Sequence, residues 1–242
     1  MKQMMKMLQE AEHTIIFTGA GMSTESGLPD FRTPGRGLWE KFNPDELANV
    51  HALEHNTAEF LDFYRHRLQA ITDYKPHTGH LILAKWEKED LVQGIITQNV
   101  DGFHHDAGSK NVMELHGTFR TFYCHDCREE YDRKVFLGGK TVCDKCGGTI
   151  RPGIVLFGET LPMETFDQAD AETMKADLFI VLGSSLNVSP ANMFPAHARE
   201  NGANLIIVNR ESTPFDSHAN YIVRDKSIQE ALTALDEQLQ WK

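Results

Sequence analysis

One pattern restricts the fold of this chain more than any other: short apolar runs stop abruptly at small and polar residues. Gly94–Thr97 runs into Gln98–Gly102 in this way. Three further runs behave alike: His13–Thr18 before Gly19–Thr24, Ala176–Leu182 before Gly183–Val188, and Leu205–Val208 before Asn209–Arg210. Such runs are typical of buried parallel strands. Because they alternate with helical patterns, we predict an α/β fold with a doubly wound parallel sheet, whose polar loops converge on one ligand.

Size and charge narrow the class of protein. A chain of 242 residues with 40% hydrophobic residues suits one large domain, alone or with a small one. The net charge of −11 argues against general binding to nucleic acid or to an anionic membrane. The acidity is compatible with a basic partner such as a lysine-rich peptide, although a role in solubility explains it as well.

The sequence contains no recognisable targeting or membrane segment. Met1–Glu12 is rich in Met and Lys but lacks the unbroken apolar stretch of a signal peptide. The apolar run Leu178–Leu182 is far too short to span a membrane. We therefore expect a soluble, cytoplasmic protein, and we expect it to be a monomer.

The loop Gly19–Thr24 is a candidate phosphate-binding loop. Gly19 and Gly21 allow the backbone to approach a ligand closely, and Ser23 or Thr24 can cap a helix whose N–H groups point at a phosphate. The dinucleotide fingerprint G-x-G-x-x-G is incomplete, because its third glycine falls at Thr24. A plain glycine turn is an equally good interpretation of this loop alone.

Two further segments carry candidate residues whose role the pattern leaves open. Glu25–Trp39 is rich in Gly and Pro and predicts a long loop, either a functional lid or a surface loop with Phe31 tucked into the core. Residues 44–73 have helical spacing. Tyr64 and Arg67 lie three positions apart there and therefore share one helix face.

All four cysteines lie in two C-x-x-C pairs, Cys124 with Cys127 and Cys143 with Cys146, which fifteen residues separate. Two such turns can present four thiolates to one tetrahedral zinc ion. Disulfides are the main alternative, but nothing suggests secretion. We predict a structural zinc site, because four thiolates leave no coordination position for a catalytic water.

Seven motifs occur in a fixed order along the chain: Gly19–Ser23, Gly27–Arg32, Thr97–Gly102, His116–Gly117, the two cysteine pairs, Phe157–Glu159 and Gly183–Leu186. In this order they closely resemble the sirtuin family of the bacterial type, the NAD-dependent protein lysine deacylases. The resemblance covers roughly residues 11–235. It implies a Rossmann-like large domain and a smaller zinc-binding domain, with NAD and acyl-lysine in the cleft between them.

The resemblance also implies domain boundaries. The Rossmann-like NAD-binding domain comprises residues 1–32, 76–120 and 152–242. Residues 33–75 form the helical part of the small domain together with a cofactor loop, and residues 121–151 form the zinc-binding module.

In this family NAD is consumed as a co-substrate, and the resemblance implies which residues contact it. They are Ala20, Gly21 and Thr24 at the pyrophosphate, Arg32 at a phosphate, Phe31 over the nicotinamide, Gln98, Asn99, Val100 and Asp101 at the nicotinamide and its ribose, and Ser184, Ser185, Asn209 and Lys226 at the adenosine.

The resemblance assigns catalysis to His116 together with Asn99 and Asp101. His116 is implied to contact the cofactor and to act as the base that activates a ribose hydroxyl, which then takes the acyl group. The residue pattern alone would favour a structural role for a single histidine in a glycine turn. His104 and His105 lack the motif context and are expected at the surface or behind the site.

An acyl-lysine peptide is the implied substrate, and it would pair in extended form with two strand edges. One edge is Val155–Glu159, which includes Phe157 and Gly158. The other is Asn187–Val188.

The implied function is NAD-dependent protein lysine deacetylation, in which the acetyl group moves to ADP-ribose with release of nicotinamide and O-acetyl-ADP-ribose. The alternatives are a desuccinylase or demalonylase, a mono-ADP-ribosyltransferase, and a non-catalytic sensor of NAD or ADP-ribose. Tyr64 and Arg67 resemble a pair that marks family members accepting succinyl or malonyl lysine, because a phenol and a guanidinium can bind a distal carboxylate. The loop 33–39 resembles the deacetylase branches instead, and Arg67 could simply face water, so acetyl is the expected main substrate.

Overall fold

The computed structural model describes residues 1–30 and 43–239. Phe31, Arg32 and most of the predicted lid loop lie outside these ranges, so the roles assigned to them stay predictions. Two sheets organise the described part, one of six strands and one of three.

The large sheet is parallel throughout, as the apolar runs predict. Its strands are β1 (Thr14–Thr18), β2 (Gly94–Thr97), β3 (Val112–Glu114), β7 (Leu178–Leu182), β8 (Asn204–Val208) and β9 (Tyr221–Val223). They are arranged in the order β3-β2-β1-β7-β8-β9. Every residue of β1 and β7 is buried, as expected for central strands covered on both faces.

The two faces of this sheet carry separate cores. Ile16 of β1 packs into one cluster, which also contains Trp86 and Leu232. Its neighbour Phe17 packs into the other cluster, against Phe179 and Phe194. Since successive side chains of a strand point to opposite faces, this alternation is the expected result of winding the chain on both sides of the sheet.

Helices cover both faces, and the described helices are Lys2–Glu10, Pro44–Leu47, Val50–His55, Thr57–Asp73, Thr78–Lys88, Phe103–Ala107, Arg133–Leu137, Met163–Lys175, Phe194–Glu200 and Ile228–Leu239. Short 3₁₀ helices span Ala20–Ser26, Ala191–Met193 and Asp216–His218. Within residues 1–30 and 43–239, no helix is long and apolar enough to cross a membrane.

The small sheet is antiparallel, with strand order β5-β4-β6. Its strands are β4 (Gly117–Cys124), β5 (Glu130–Tyr131) and β6 (Ile150–Ile154). The predicted boundaries of the zinc-binding module, 121 and 151, therefore fall inside this sheet, and the division into domains stays a prediction.

The helices between residues 44 and 73 form one helical segment, which packs on the small sheet. Phe60 and Leu68 of the helix Thr57–Asp73 share one buried cluster with Phe119 and Phe122 of β4. This packing places the face with Tyr64 and Arg67 next to the loops that follow β2 and β6.

Candidate active site and zinc site

A cavity of about 1210 Å³ opens where β1, β2, β7 and β8 end. It exceeds the roughly 300–1,000 Å³ of pockets for drug-sized ligands, and so it suits a dinucleotide together with a peptide side chain. Most of the predicted site residues line it: Ala20, Gly21, Thr24, Tyr64, Arg67, Gln98, Asn99, Val100, His116, Val155, Phe157, Gly158, Ser184, Ser185, Val188, Asn209 and Lys226.

Two predicted residues are placed differently. Asp101 lines an adjoining cavity of about 450 Å³, which shares Asn99, Val100 and Arg67 with the larger one. Asn187 lines neither of these two cavities. The cavities thus bring together residues from the sheet loops and the helical segment.

His116 is fixed by a hydrogen bond at its Nδ1 atom and by the tight backbone turn at Gly117. Its Nδ1 lies 3.0 Å from the backbone carbonyl of Gln98. A carbonyl only accepts hydrogen bonds, so Nδ1 must carry the hydrogen and Nε2 the lone pair. The next residue, Gly117, has φ of +70°, and a side chain there would clash with the carbonyl of Gly153. The local structure therefore fixes the tautomer in which Nε2 can accept a proton.

Burial lowers the pKa of His116 below its usual value and outweighs the hydrogen bond to Gln98, which acts in the opposite direction. A base must be unprotonated, so a lowered pKa keeps His116 competent in mildly acidic solution. We expect the acid limb of kcat/KM against pH to have an apparent pKa below about 6.5, the value of an ordinary imidazole. An acid limb above that value, in protein that fluorescence shows to be folded, would contradict this role of His116.

Gln98 connects the loops after β2 and β7. Its side-chain Oε1 accepts a hydrogen bond of 3.0 Å from the buried Ser184 hydroxyl. Its Nε2 is buried and finds no partner among residues 1–30 and 43–239. A buried amide donor normally has an acceptor. Because Gln98 lines the cavity, this unused donor fits the predicted contact with a ribose hydroxyl.

Asn99 and Asp101 are fixed through Ser23, a residue that the sequence patterns had offered only as a helix cap. Asn99 Nδ2 donates to the Gly19 carbonyl at 3.0 Å and to the Ser23 hydroxyl at 3.3 Å. The same hydroxyl donates to Asp101 Oδ2 at 2.7 Å. Burial raises the pKa of Asp101, against the hydrogen bonds from Phe103 and Ser23 and the nearby Arg67 charge.

Gly19 and Gly21 are needed for packing within the protein as well as for close approach of a ligand. A Cβ atom on Gly19 would lie 2.8 Å from the carbonyl oxygen of Gly183, and one on Gly21 would lie 2.7 Å from its Cα. Gly183 itself has φ of +64°, a conformation that suits glycine. The loops after β1 and β7 therefore interlock, and only glycine fits at their contact.

His104 is a buried residue beneath the site. Its Nε2 lies 3.1 Å from the hydroxyl of Thr18, which donates to Thr97 Oγ1 at 2.7 Å. Thr97 Oγ1 in turn accepts the backbone N–H of Asn99. His104 therefore belongs behind the site, one of the two positions expected for it. Burial lowers its pKa to about 3, so it stays neutral.

Tyr64 and Arg67 both line the main cavity. The Arg67 guanidinium lies 5.9 Å from the ring centres of both Phe63 and Phe119. Arg67 thus contacts protein and does not simply face water. Burial raises the pKa of Tyr64 to about 12, although the positive charges of Arg67 and Arg151 act to lower it, so the phenol stays protonated and can donate a hydrogen bond.

The segment Val155–Glu159 forms a loop rather than a free strand edge, because β6 ends at Ile154. The Phe157 N–H donates to the Ala48 carbonyl at 2.9 Å, and the Phe157 carbonyl accepts from Val50 at 3.2 Å. The helical segment therefore uses both backbone groups that an extended peptide would need at Phe157. The Phe157 ring stays about half exposed at the cavity.

The four cysteines come together as predicted. Their sulfur atoms all lie within 4.8 Å of one another, with Cys124 and Cys146 at 3.5 Å and Cys127 and Cys143 at 3.6 Å. A tetrahedral zinc site with Zn–S bonds of about 2.3 Å needs sulfur separations of roughly 3.8 Å. All four thiols are free, which excludes the disulfide alternative in this structure. The donor set therefore fits one structural zinc ion.

Tyr131 supports this cluster. Its hydroxyl donates to Cys143 Sγ at 3.1 Å and accepts the Asp144 N–H at 3.0 Å. Partners of this kind orient metal ligands and tune their affinity. Nothing in the cysteine spacing indicates that Tyr131 takes part.

Residues 19–190 match the family model described as the Sir2 family. This span covers well over half of the chain. The chain belongs to the Sir2 family. The predicted family is therefore confirmed.

Curated relatives of this Sir2 family member align with nine tenths or more of the chain. An NAD-dependent protein deacetylase of Oceanobacillus iheyensis is 52% identical over 96% of this chain and 98% of that protein. An NAD-dependent protein deacetylase of Saccharolobus solfataricus is 47% identical over 90% of this chain and 89% of that protein.

Solved Sir2 structures confirm the predicted fold. A complex described as Sir2 with a p53 peptide and NAD⁺ superposes with a TM-score of 0.91 at 36% identity, over 98% of each chain. A Sir2 variant with a deacetylated p53 peptide and 3′-O-acetyl ADP ribose gives a TM-score of 0.92 at 36% identity, over 99% of this chain and 98% of that one.

Proposed function

We infer that this chain is an NAD-dependent protein lysine deacetylase, which transfers the acetyl group of acetyl-lysine to ADP-ribose and releases nicotinamide and O-acetyl-ADP-ribose. One observation carries the inference. His116, fixed as the tautomer with a free Nε2, lies in a cavity whose other walls offer amide, hydroxyl and backbone groups for a dinucleotide. The names of relatives in the same family, about half identical, agree with it.

His116 acts as the general base. NAD, when bound, would supply the ribose that loses nicotinamide and receives the acetyl group. His116 Nε2 would take the proton of a ribose hydroxyl, whose oxygen bonds to the acetyl carbon as the amide bond to the lysine nitrogen breaks. The lysine nitrogen leaves as the protonated amine, and one water molecule supplies the oxygen that the products need in place of the nicotinamide bond. The Gln98 carbonyl stabilises the protonated imidazole, because it keeps its hydrogen bond to Nδ1–H throughout.

The residues around His116 bind and orient. We propose that Gln98 Nε2 binds a ribose hydroxyl, and that the Asn99 amide, fixed by Gly19 and Ser23, holds the nicotinamide carboxamide with Asp101. The remaining proposed contacts with NAD are Ala20, Gly21 and Thr24 at the pyrophosphate, and Ser184, Ser185, Asn209 and Lys226 at the adenosine.

The acetyl-lysine peptide is proposed to enter past Val155, Phe157, Gly158 and Val188, with Asn187 beside them. The exposed part of the Phe157 ring offers an apolar surface to the aliphatic stem of the lysine. Location in the cytoplasm, a monomeric state and the lack of affinity for nucleic acid stay predictions from the sequence.

The experiment that tests this function compares an acetyl-lysine peptide with its unmodified form in the presence of NAD. We expect nicotinamide release that depends on the acetyl group and equals the amount of deacetylated peptide. ADP-ribosylated protein in place of deacetylated peptide would support the transferase alternative. Binding of NAD without turnover would support a sensor.

A second candidate activity, removal of succinyl or malonyl groups, is favoured by the position of Tyr64 and Arg67. Both line the cavity that also contains His116 and Val100. A protonated phenol and a guanidinium on the cavity wall can bind a distal carboxylate by charge-assisted hydrogen bonds. We propose acetyl-lysine as the main substrate and succinyl-lysine as a second one.

Arg67→Met separates the two substrates. We expect succinyl turnover to fall by about 10- to 100-fold, because a charge-assisted hydrogen bond is lost, whereas acetyl turnover changes little. Arg65→Met is the matched control, since Arg65 is on the same helix, contacts Phe136 and Asp62, and itself lines neither cavity. A wild type that leaves succinyl peptide untouched would show that the pair is structural.

A further inference from the structure

An ion pair between a buried arginine and a partly exposed glutamate connects the zinc-binding sheet with the active-site cavity. Arg151 on β6 is completely buried, although arginine is rarely found in that state. Its two terminal nitrogens contact the two carboxylate oxygens of Glu159 at 2.6 and 3.0 Å. Glu159 lies eight positions further on and lines the cavity.

The pair fixes the conformation of the segment Val155–Glu159. Arg151 Nη2 also donates to the Ile154 carbonyl at 2.6 Å. Glu159 Oε2 accepts the backbone N–H of Leu156 at 2.8 Å. Burial by itself would raise the pKa of Glu159, but the hydrogen bonds from Arg151 and Leu156 outweigh it and keep that pKa below its usual value. The carboxylate therefore stays charged, and its hydrogen bonds with Arg151 hold the loop Val155–Glu159 against β6.

The same segment joins the parts of the molecule that form the site. Val155 donates its N–H to the carbonyl of His116 at 2.8 Å. Two residues on, Phe157 exchanges backbone hydrogen bonds with Ala48 and Val50. A shift of this segment would therefore displace the proposed base and the apolar ring at the mouth of the cavity together.

β6 is also paired with β4, the strand that carries Cys124 of the zinc site. Cys124 is paired in register with Ile150, the residue before Arg151. The next backbone N–H, that of His125, donates to the Thr149 carbonyl at 2.8 Å. The position of Arg151 is thus set by the sheet that the metal-binding turns hold together.

We propose that Arg151 is a positioning residue, which acts through Glu159 to hold Val155–Glu159 in the conformation that binds the acetyl-lysine peptide. This inference rests on the proposed function, because it names the part of that site through which the zinc-binding sheet supports substrate binding. Arg151 touches no reacting atom. The proposed adenosine contacts belong to the loops after β7, β8 and β9, so the ion pair should control peptide affinity and leave NAD affinity intact.

The experiment uses Arg151→Lys, which keeps the charge but loses the paired hydrogen bonds, and Glu159→Gln, which keeps the shape but loses the charge. Binding of a fluorescein-labelled acetyl-lysine peptide is measured by anisotropy, NAD binding by tryptophan fluorescence, and zinc content by elemental analysis. We expect peptide affinity to fall about tenfold or more in both variants, as for a lost charge-assisted hydrogen bond, with NAD affinity and zinc content unchanged.

Arg120→Lys is the matched control. Arg120 lies on the neighbouring strand β4 and forms an ion pair of 3.5 Å with Asp106, with 47% of its side chain exposed, so its replacement should alter neither affinity. Unchanged peptide affinity in both test variants would overturn the proposal. Parallel losses of peptide binding, NAD binding and zinc would also overturn it, because they indicate a general structural role.

The same measurements separate this inference from the proposed function. A wild type that binds the peptide but does not deacetylate it contradicts the proposed function, and the affinities of the variants still decide the role of Arg151. A wild type that does not bind the peptide overturns both.

Discussion

His116→Ala is expected to lower the rate of deacetylation by about 10²–10⁴-fold, the range that general acid–base catalysis usually contributes. The reason is that Nε2 of His116 is the group fixed by its tautomer to take a proton in the cavity. NAD affinity should change little, because the adenosine and pyrophosphate contacts lie on other loops. Steady-state turnover of an acetyl-lysine peptide and NAD binding check the two parts of this expectation.

His105→Ala provides the control for this variant. His105 is partly exposed beside Glu114 and does not line the cavity, so its loss should leave turnover within about twofold, as for substitutions away from the chemistry. Full activity in His116→Ala, or an equal loss in both variants, would defeat the assignment of His116 as the base.

Removal of the zinc ion is expected to unfold the small sheet. Metal binding by four thiolates is linked to folding, with binding free energies of about 10–16 kcal/mol for structural zinc in small modules. Cys143→Ser should therefore lose zinc and the near-ultraviolet dichroism of the aromatic residues around the small sheet. Elemental analysis of wild type should give one zinc ion per chain.

Tyr131→Phe is the graded control, because it removes the hydrogen bonds of the hydroxyl to Cys143 and Asp144 but leaves all four thiols in place. We expect it to stay folded and to bind zinc about 10- to 100-fold more weakly in competition with a chelator. Freshly prepared, reduced wild-type protein without metal would contradict the zinc assignment.

The large sheet could be predicted because its signal is local. The run Leu178–Leu182 is continuously apolar, and it forms a central strand that is buried along its whole length. The convergence of the polar loops follows from the parallel order of the strands, since their carboxyl ends meet at one edge. The clustering of the four cysteines could also be predicted, because each C-x-x-C turn brings two sulfur atoms together.

Other features depend on partners far away in the sequence, and no local pattern indicates them. Gly19 must be glycine because it touches Gly183 and Ser184, which lie in the loop after β7. Arg151 would be placed at the surface by its type, and only the folded chain brings Glu159 beside it. The sequence around Phe157 predicts a backbone available to a peptide, but Ala48 and Val50, more than 100 positions earlier, occupy its hydrogen-bonding groups.

The destination of the acetyl group tests the proposed function most directly. A peptide whose acetyl-lysine carries an isotopic label in the acetyl group is incubated with the protein and NAD, and the products are analysed by mass spectrometry. The proposed function predicts one labelled O-acetyl-ADP-ribose for each nicotinamide released and each peptide deacetylated. Label released directly as free acetate while NAD remains unconsumed would contradict it.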